Sequence, residues 1–113
     1  MDLFSALLTA PEQAVLARPD FQRAFIAVVQ EGLRAGPRRA QLDTALMAGP
    51  WDFRREDIRV AVHLWHGEAD ANAPPAMGRY MAAANSHASF YPGEGHLSLI
   101  AKHMEEILNV LAA

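Results

Sequence analysis

The sequence predicts an α/β protein in which a helical first half precedes a strand–helix–strand–helix unit. Three observations predict this class. Apolar residues recur at helical spacing through residues 1–50, two short apolar segments lie at 58–67 and 87–93, and helical sequence follows each of them. We therefore divide the chain into a helical, cap-like segment at 1–50 and an α/β portion at 51–113 with two parallel strands and two helices.

Three helices are predicted in the first half. "PEQAVLAR" begins with Pro11, at a first-turn position where a missing N–H costs nothing. "RPDFQRAFIAVVQEGLRAG" has Asp20 as its predicted N-cap and ends at Gly36-Pro37. One face of this helix is apolar: Phe21, Phe25, Val28, Val29 and Leu33. "RRAQLDTALMAG" is the third helix and ends at Gly49.

The second half alternates strand and helix. "IRVAVHLWHG" predicts a strand of six to eight residues ending at Gly67, and neither of its faces is strongly polar. Strands covered on both faces have this composition, which favours a parallel sheet. "PPAMGRYMAAAN" predicts a helix and "HASFYPG" a second strand. The last helix, "HLSLIAKHMEEILNVLAA", has a predicted buried stripe of Leu97, Ile100, Met104, Ile107, Leu108 and Leu111.

Two strands are few for a stable sheet. A two-stranded sheet is marginal on its own, and both of its edges would be open to further pairing. We therefore expect either that another molecule supplies more strands or that the sequence is part of a longer chain.

Composition excludes several classes of function. A net charge of −3 provides no basic face for nucleic acid, and the absence of cysteine excludes disulfides and thiolate metal sites. The apolar runs are too short to span a membrane, and the acidic start is unlike a signal peptide, so we expect a cytoplasmic protein. His63 and His66 would point to opposite faces of a strand, so we predict no metal site and no cofactor.

One acid and one histidine follow the two predicted strands. Asp70 comes after the first strand and His96 after the second. The carboxyl ends of parallel strands meet at one edge of a sheet, where the functional groups of open α/β sheets collect. A right-handed crossover would bring the two loops side by side. An Asp beside a His forms the orienting half of a catalytic triad, in which the carboxylate fixes the tautomer of the general base.

The two motifs "LWHGEADANAP" and "FYPGEGHLSLI" resemble the last third of an α/β-hydrolase-fold enzyme. In that family the triad acid follows the seventh strand in an H-G-x-x-D turn, and the triad histidine follows the eighth in a G-H-x-x-L turn. The resemblance covers about residues 50–111. It implies that Asp70 is the acid and His96 the base, with Gly67 and Gly95 as the turn glycines. The helical first half is compatible with the cap that this family inserts before its seventh strand.

This sequence departs from that family at the nucleophile. In the family the nucleophile sits in a G-x-S-x-G elbow that precedes the acid and the histidine. No such motif occurs in this sequence. None of the serines has the flanking glycines: Ser5, Ser86, Ser89 and Ser98. We therefore expect an ester-type hydrolase represented by its C-terminal portion and inactive alone. It would act on a small-molecule substrate if a nucleophile-bearing segment, or a second copy, completed it. The alternative is a non-catalytic self-association module derived from a truncated hydrolase.

Overall fold

The computed structural model describes residues 8–113, with residues 85 and 86 described by their backbone alone. This part of the chain combines helix and strand. The elements in chain order are α1 (Ala10–Leu16), α2 (Pro19–Leu33), α3 (Pro37–Ala48), a 3-10 turn (Arg55–Asp57), β1 (Val62–Gly67), α4 (Pro75–Asn85), β2 (Ser86–Tyr91) and α5 (His96–Ala112). The predicted mixture of helix and strand is confirmed, and the order of the elements follows the predicted one.

The two strands form a parallel pair. The register runs from Val62 opposite Ser86 to Gly67 opposite Tyr91, with His63 opposite His87. Within the described residues the sheet has only these two strands, in the order β1-β2. Both carboxyl ends therefore lie at one edge, as the sequence predicts, and the chain leaves each strand into a short loop at that edge.

Helices lie against both faces of the sheet. Because side chains alternate along a strand, each helix contacts a different set of strand side chains. On one face α4 lies against β1. The ring of His66 sits so close to Gly78 that a β-carbon there would be 2.5 Å from the His66 Nδ1 atom. On the other face α5 approaches β1, and the indole nitrogen of Trp65 donates to Glu106 Oε1 at 3.1 Å. Tyr91 of β2 also donates to Glu106, and its ring lies against that of His103.

The core is small. Among the described residues only Val15 and Leu99 are buried hydrophobic side chains. The buried stripe predicted for the last helix is wrong in part. Leu97 and Ile107 are half-buried, whereas Ile100, Met104, Leu108 and Leu111 are exposed. The physical reason is the narrow sheet, since two strands do not reach far enough to cover the full apolar face of a 17-residue helix.

The first half is less packed than its pattern predicts. Neither α2 nor α3 has a buried residue, and Val28 and Leu33 are exposed. Asp20 is not the N-cap of α2. Arg18 occupies that position because Pro19 takes the first helical turn, and Asp20 instead accepts a hydrogen bond from the Arg18 guanidinium at 3.1 Å.

The described chain is also more extended than a compact domain. Its radius of gyration is 15.8 Å, against about 13 Å expected for a compact domain of this length. α1 packs against α5, whereas α3 contacts α2. No helix among residues 8–113 is both long enough and apolar enough to cross a membrane.

Candidate active site

The structure brings together the two residues predicted at the strand ends. Asp70 lies in the loop after β1, and His96 is the first residue of α5, directly after the loop that follows β2. The His96 Nδ1 atom is 2.9 Å from Asp70 Oδ2, across 26 positions of sequence. We call this pair the Asp70–His96 dyad. Its geometry follows from the parallel register, which places both loops at the same edge of the sheet.

Asp70 is buried and ionised. Its Oδ1 atom accepts the backbone N–H groups of Asn72 and Ala73 at 2.8 and 2.9 Å, while Oδ2 faces His96. Burial by itself would raise the pKa of Asp70. The hydrogen bonds from Ala73, His96 and Asn72 outweigh it, so the pKa of Asp70 lies below its ordinary value of 3.8. The carboxylate is therefore a fixed negative charge beside the imidazole.

His96 is the more exposed member of the dyad. Nearly half of the His96 side chain is exposed, whereas that of Asp70 is almost completely covered. With Nδ1 held by the carboxylate, the proton of the neutral ring sits on Nδ1 and the lone pair on Nε2. Within residues 8–113 no hydrogen bond is directed at Nε2. The arrangement can therefore take a proton from a group that approaches from outside and stabilise the resulting imidazolium.

Two glycines allow close contacts at the strand-end loops, one between the two loops and one with α1. A β-carbon on Gly67 would collide with the backbone carbonyl of Glu94, so only glycine fits where the loops cross. A β-carbon on Gly95 would collide with the carboxylate of Glu12, a buried residue of α1. α1 is thus pressed against the turn that carries His96. The Oε2 atom of Glu12 accepts the N–H of Thr9 at 3.2 Å, whereas Oε1 has no partner among the described residues.

Ser98 fixes the start of α5. Its hydroxyl accepts the Gly95 N–H at 2.8 Å and donates to Glu94 Oε2 at 2.6 Å. Lys102 donates to the other oxygen of Glu94 at 2.9 Å. Burial raises the pKa of Glu94, but the hydrogen bonds of Ser98 and Lys102 outweigh it and hold this pKa below 4.5. Ser98 is fully buried and its proton is committed to Glu94, so this serine has no role as a nucleophile.

The remaining serines do not complete the site. Ser5 lies outside the described residues, and the side chain of Ser86 is not part of the description. Ser89 is exposed on β2, where its hydroxyl interacts with Tyr91. The described residues therefore place an acid and a base together without an attacking hydroxyl beside them.

His66 supports the dyad, a role that the sequence analysis missed. Its Nε2 atom lies 2.8 Å from the carbonyl oxygen of Ala73, the residue whose N–H binds Asp70. The ring thereby ties the Asp70 loop to β1. The H-G-x-x-D pattern contains this histidine, but its partner is a backbone carbonyl that only the folded loop brings near. His63, by contrast, stacks on Trp65 and His87 on the opposite face, as the alternation predicts. No cluster of metal-binding side chains occurs among residues 8–113.

A groove of about 390 Å³ runs along β1 and ends at the dyad. We call it the β1 groove. Its lining comprises residues 63–66 of β1, Asp70 and Ala73 of the following loop, and His96, Leu99, Ile100 and Ile107 of α5. A larger cavity of about 610 Å³ lies between the Trp51–Glu56 connector and α4, and it contains neither member of the dyad. The β1 groove is therefore the candidate site, because general-base chemistry needs the imidazole within reach of the substrate.

The chain was compared with known proteins at three levels. No protein-family model matches it, and neither curated proteins nor solved structures provide a match. The chemistry of the dyad is therefore the basis for any function assigned to this chain.

Proposed function

We propose that this chain supplies the acid and the base of a nucleophile–His–Asp hydrolytic site of the α/β-hydrolase type. One observation carries the proposal, the buried Asp70 carboxylate that holds the Nδ1 atom of a half-exposed His96 at 2.9 Å. The motifs around both residues and the parallel strand pair support the same conclusion. The nucleophile comes from another polypeptide segment that enters the β1 groove.

In the completed site His96 acts as the general base. Its Nε2 atom takes the proton of the nucleophile as the nucleophile attacks the carbonyl carbon of an ester, and then returns that proton to the leaving alcohol. Asp70 remains ionised throughout and stabilises the imidazolium. The described residues present no oxyanion-binding loop beside the dyad, so we assign that function to the segment that brings the nucleophile.

The tautomer of His96 tests the proposal on the chain as it is. Nitrogen-15 NMR of the neutral imidazole should show the proton on Nδ1, because Asp70 accepts it. Asp70→Asn should remove this preference, whereas the exposed-loop variant Glu68→Gln should keep it. A ring of His96 with its proton on Nε2 in the unaltered chain would contradict the proposed role.

An activity test requires the missing nucleophile. We would express the chain together with the first six strands of an α/β-hydrolase that retains its serine elbow and lacks its own acid and histidine. In a purified complex we expect hydrolysis of p-nitrophenyl acetate, and His96→Ala should lower its rate at least about a hundredfold. His103→Ala is the matched control, since His103 lies on α5 and pairs with Glu106 outside the dyad. Equal rates for the two variants would refute the role of His96.

A second candidate function is self-association without catalysis. The specific observation in its favour is the large exposed apolar surface, which includes Val60, Met77 and Leu111 along with the open β1 groove. Light scattering on the purified chain tests it. A stable dimer that is inactive in every complex would support this candidate, whereas ester hydrolysis abolished by His96→Ala would exclude an interaction-only protein.

A further inference from the structure

The free edge of β1 carries backbone groups that β2 does not pair. Glu68 donates its N–H to the Tyr91 carbonyl at 3.0 Å, so even-numbered residues of β1 direct their amide groups toward β2. Successive residues of a strand direct these groups to opposite sides. The N–H and C=O groups of His63 and Trp65 therefore point away from β2, toward the free edge of β1, where no strand of the described chain lies. Both residues also line the β1 groove.

From these groups we infer that β1 pairs with β1 of a second copy of this chain, antiparallel, about a two-fold axis at Leu64. In this register His63 of one copy lies opposite Trp65 of the other, and the pair exchanges both of its N–H···O bonds. Leu64 lies opposite Leu64 of the partner. The result is a four-stranded sheet, in which β2 of each copy forms an outer edge. The inference specifies the self-association proposed above and rests on it, and it does not depend on the hydrolytic proposal.

The edge lacks the features that protect sheet edges from such pairing. Natural edges carry charged side chains or proline, and Val62–Gly67 contains neither. Charged residues flank the strand instead, with Arg59 before it and Glu68 after it, the latter also paired with Arg79 of its own chain at 2.8 Å. Antiparallel pairing brings the arginine end of one copy toward the acidic end of the other at both ends of the interface. Parallel pairing would place like charges together, so the charge pattern favours the two-fold arrangement.

One apolar side of α5, exposed except at the half-buried Ile107, fits the same axis. Ile100, Met104, Ile107 and Leu111 form a row at helical spacing, which we call the α5 row, and two of its members line the β1 groove. A two-fold axis perpendicular to the sheet would place the second α5 antiparallel on the same face, beside the first. The two rows would then cover each other. No charged residue follows Glu106 in α5, so this contact buries no charge in its second half.

Proline substitution at the two free edges tests the inference with matched variants. His63→Pro removes an N–H that points outward from the free edge of β1, and Ala88→Pro removes one that points outward from the free edge of β2. We expect His63→Pro to raise the dimer dissociation constant at least about tenfold in sedimentation equilibrium, because the dimer loses two hydrogen bonds. Ala88→Pro should change it less than about twofold. His63→Ala separates the loss of the ring from the loss of the N–H.

A cysteine cross-link provides a second measurement that does not depend on proline. The chain has no cysteine, and the two Leu64 positions would form a non-hydrogen-bonded antiparallel pair, close enough for a disulfide. Oxidised Leu64→Cys should run as a covalent dimer, and Ala88→Cys as a monomer. A dimeric chain in which His63→Pro and Ala88→Pro weaken association equally, or in which only Ala88→Cys cross-links, overturns the inference alone. A monomeric unaltered chain overturns self-association as well.

Discussion

At the scale of the residue, the charge of Asp70 depends on its backbone surroundings. Two N–H groups of the following loop and the His96 ring compensate the cost of burying the carboxylate, and His66 holds that loop through Ala73. Removing the charge therefore affects the loop as well as the imidazole. Asp70 thus stabilises the folded chain in addition to orienting His96.

We expect Asp70→Asn to lower the free energy of unfolding by about 2 kcal/mol at pH 7, since hydrogen bonds to an ionised group are lost. The pKa of Asp70 in the folded chain lies below the ordinary value of 3.8. Its stabilisation is therefore complete above the ordinary pKa and is lost as the pH falls through the lower folded pKa. Urea unfolding followed by circular dichroism at pH 7 and pH 3 measures this. The difference between the two proteins should shrink at pH 3, and the exposed-residue variant Asp43→Asn should show no such change.

At the scale of the element, the order and type of the helices and strands could be predicted from the sequence better than the burial of their side chains. Both strands and their parallel pairing followed from apolar runs and turn residues, and Asp70 and His96 followed from the ends of those runs. The buried stripe of α5 did not, because helical spacing shows which side chains share a face and not whether a sheet is wide enough to cover them. The roles of His66 and Ser98 could not be predicted from the sequence either, because their partners include backbone groups that only folding brings near.

Ser98 provides the prediction at this scale. Ser98→Ala leaves the Gly95 N–H without its acceptor and Glu94 Oε2 without its donor, at a fully buried position. We expect a loss of about 1 to 2 kcal/mol and faster hydrogen exchange of the Gly95 amide. Thr44→Ala is the control, because the Thr44 hydroxyl lies exposed on α3 and bonds only its own helix, at the Ala40 carbonyl. An unchanged Gly95 exchange rate would show that Ser98 does not hold the start of α5.

At the scale of the whole molecule, the described chain has two buried hydrophobic side chains and an open sheet. Folding of a single copy gains little from apolar burial, so we expect a partner that covers the exposed faces to stabilise the chain. The proposed dimer and the proposed complex with a nucleophile-bearing segment use the same β1 groove. The two complexes therefore exclude each other. One chain can bind either a second copy or the nucleophile-bearing segment at a time, but not both.

A dimer linked to folding makes the melting temperature depend on protein concentration. We expect the melting temperature to rise by several degrees when the chain concentration increases from about 1 to about 100 micromolar. The rise should be smaller for His63→Pro over the same concentrations. Differential scanning calorimetry measures both series. A melting temperature independent of concentration would mean that single copies fold without support.

The position of Trp65 has a practical consequence for detecting whichever partner arrives. Its indole lines the β1 groove, is half-buried, and donates to Glu106. The other tryptophan, Trp51, lies outside this groove and stacks on Phe53. In a Trp51→Phe background the tryptophan fluorescence of the chain comes from Trp65 alone. A strand that enters the groove would displace water from this one fluorophore and shift its emission to shorter wavelength. Occupancy of the open edge thus becomes an optical signal that needs no added label.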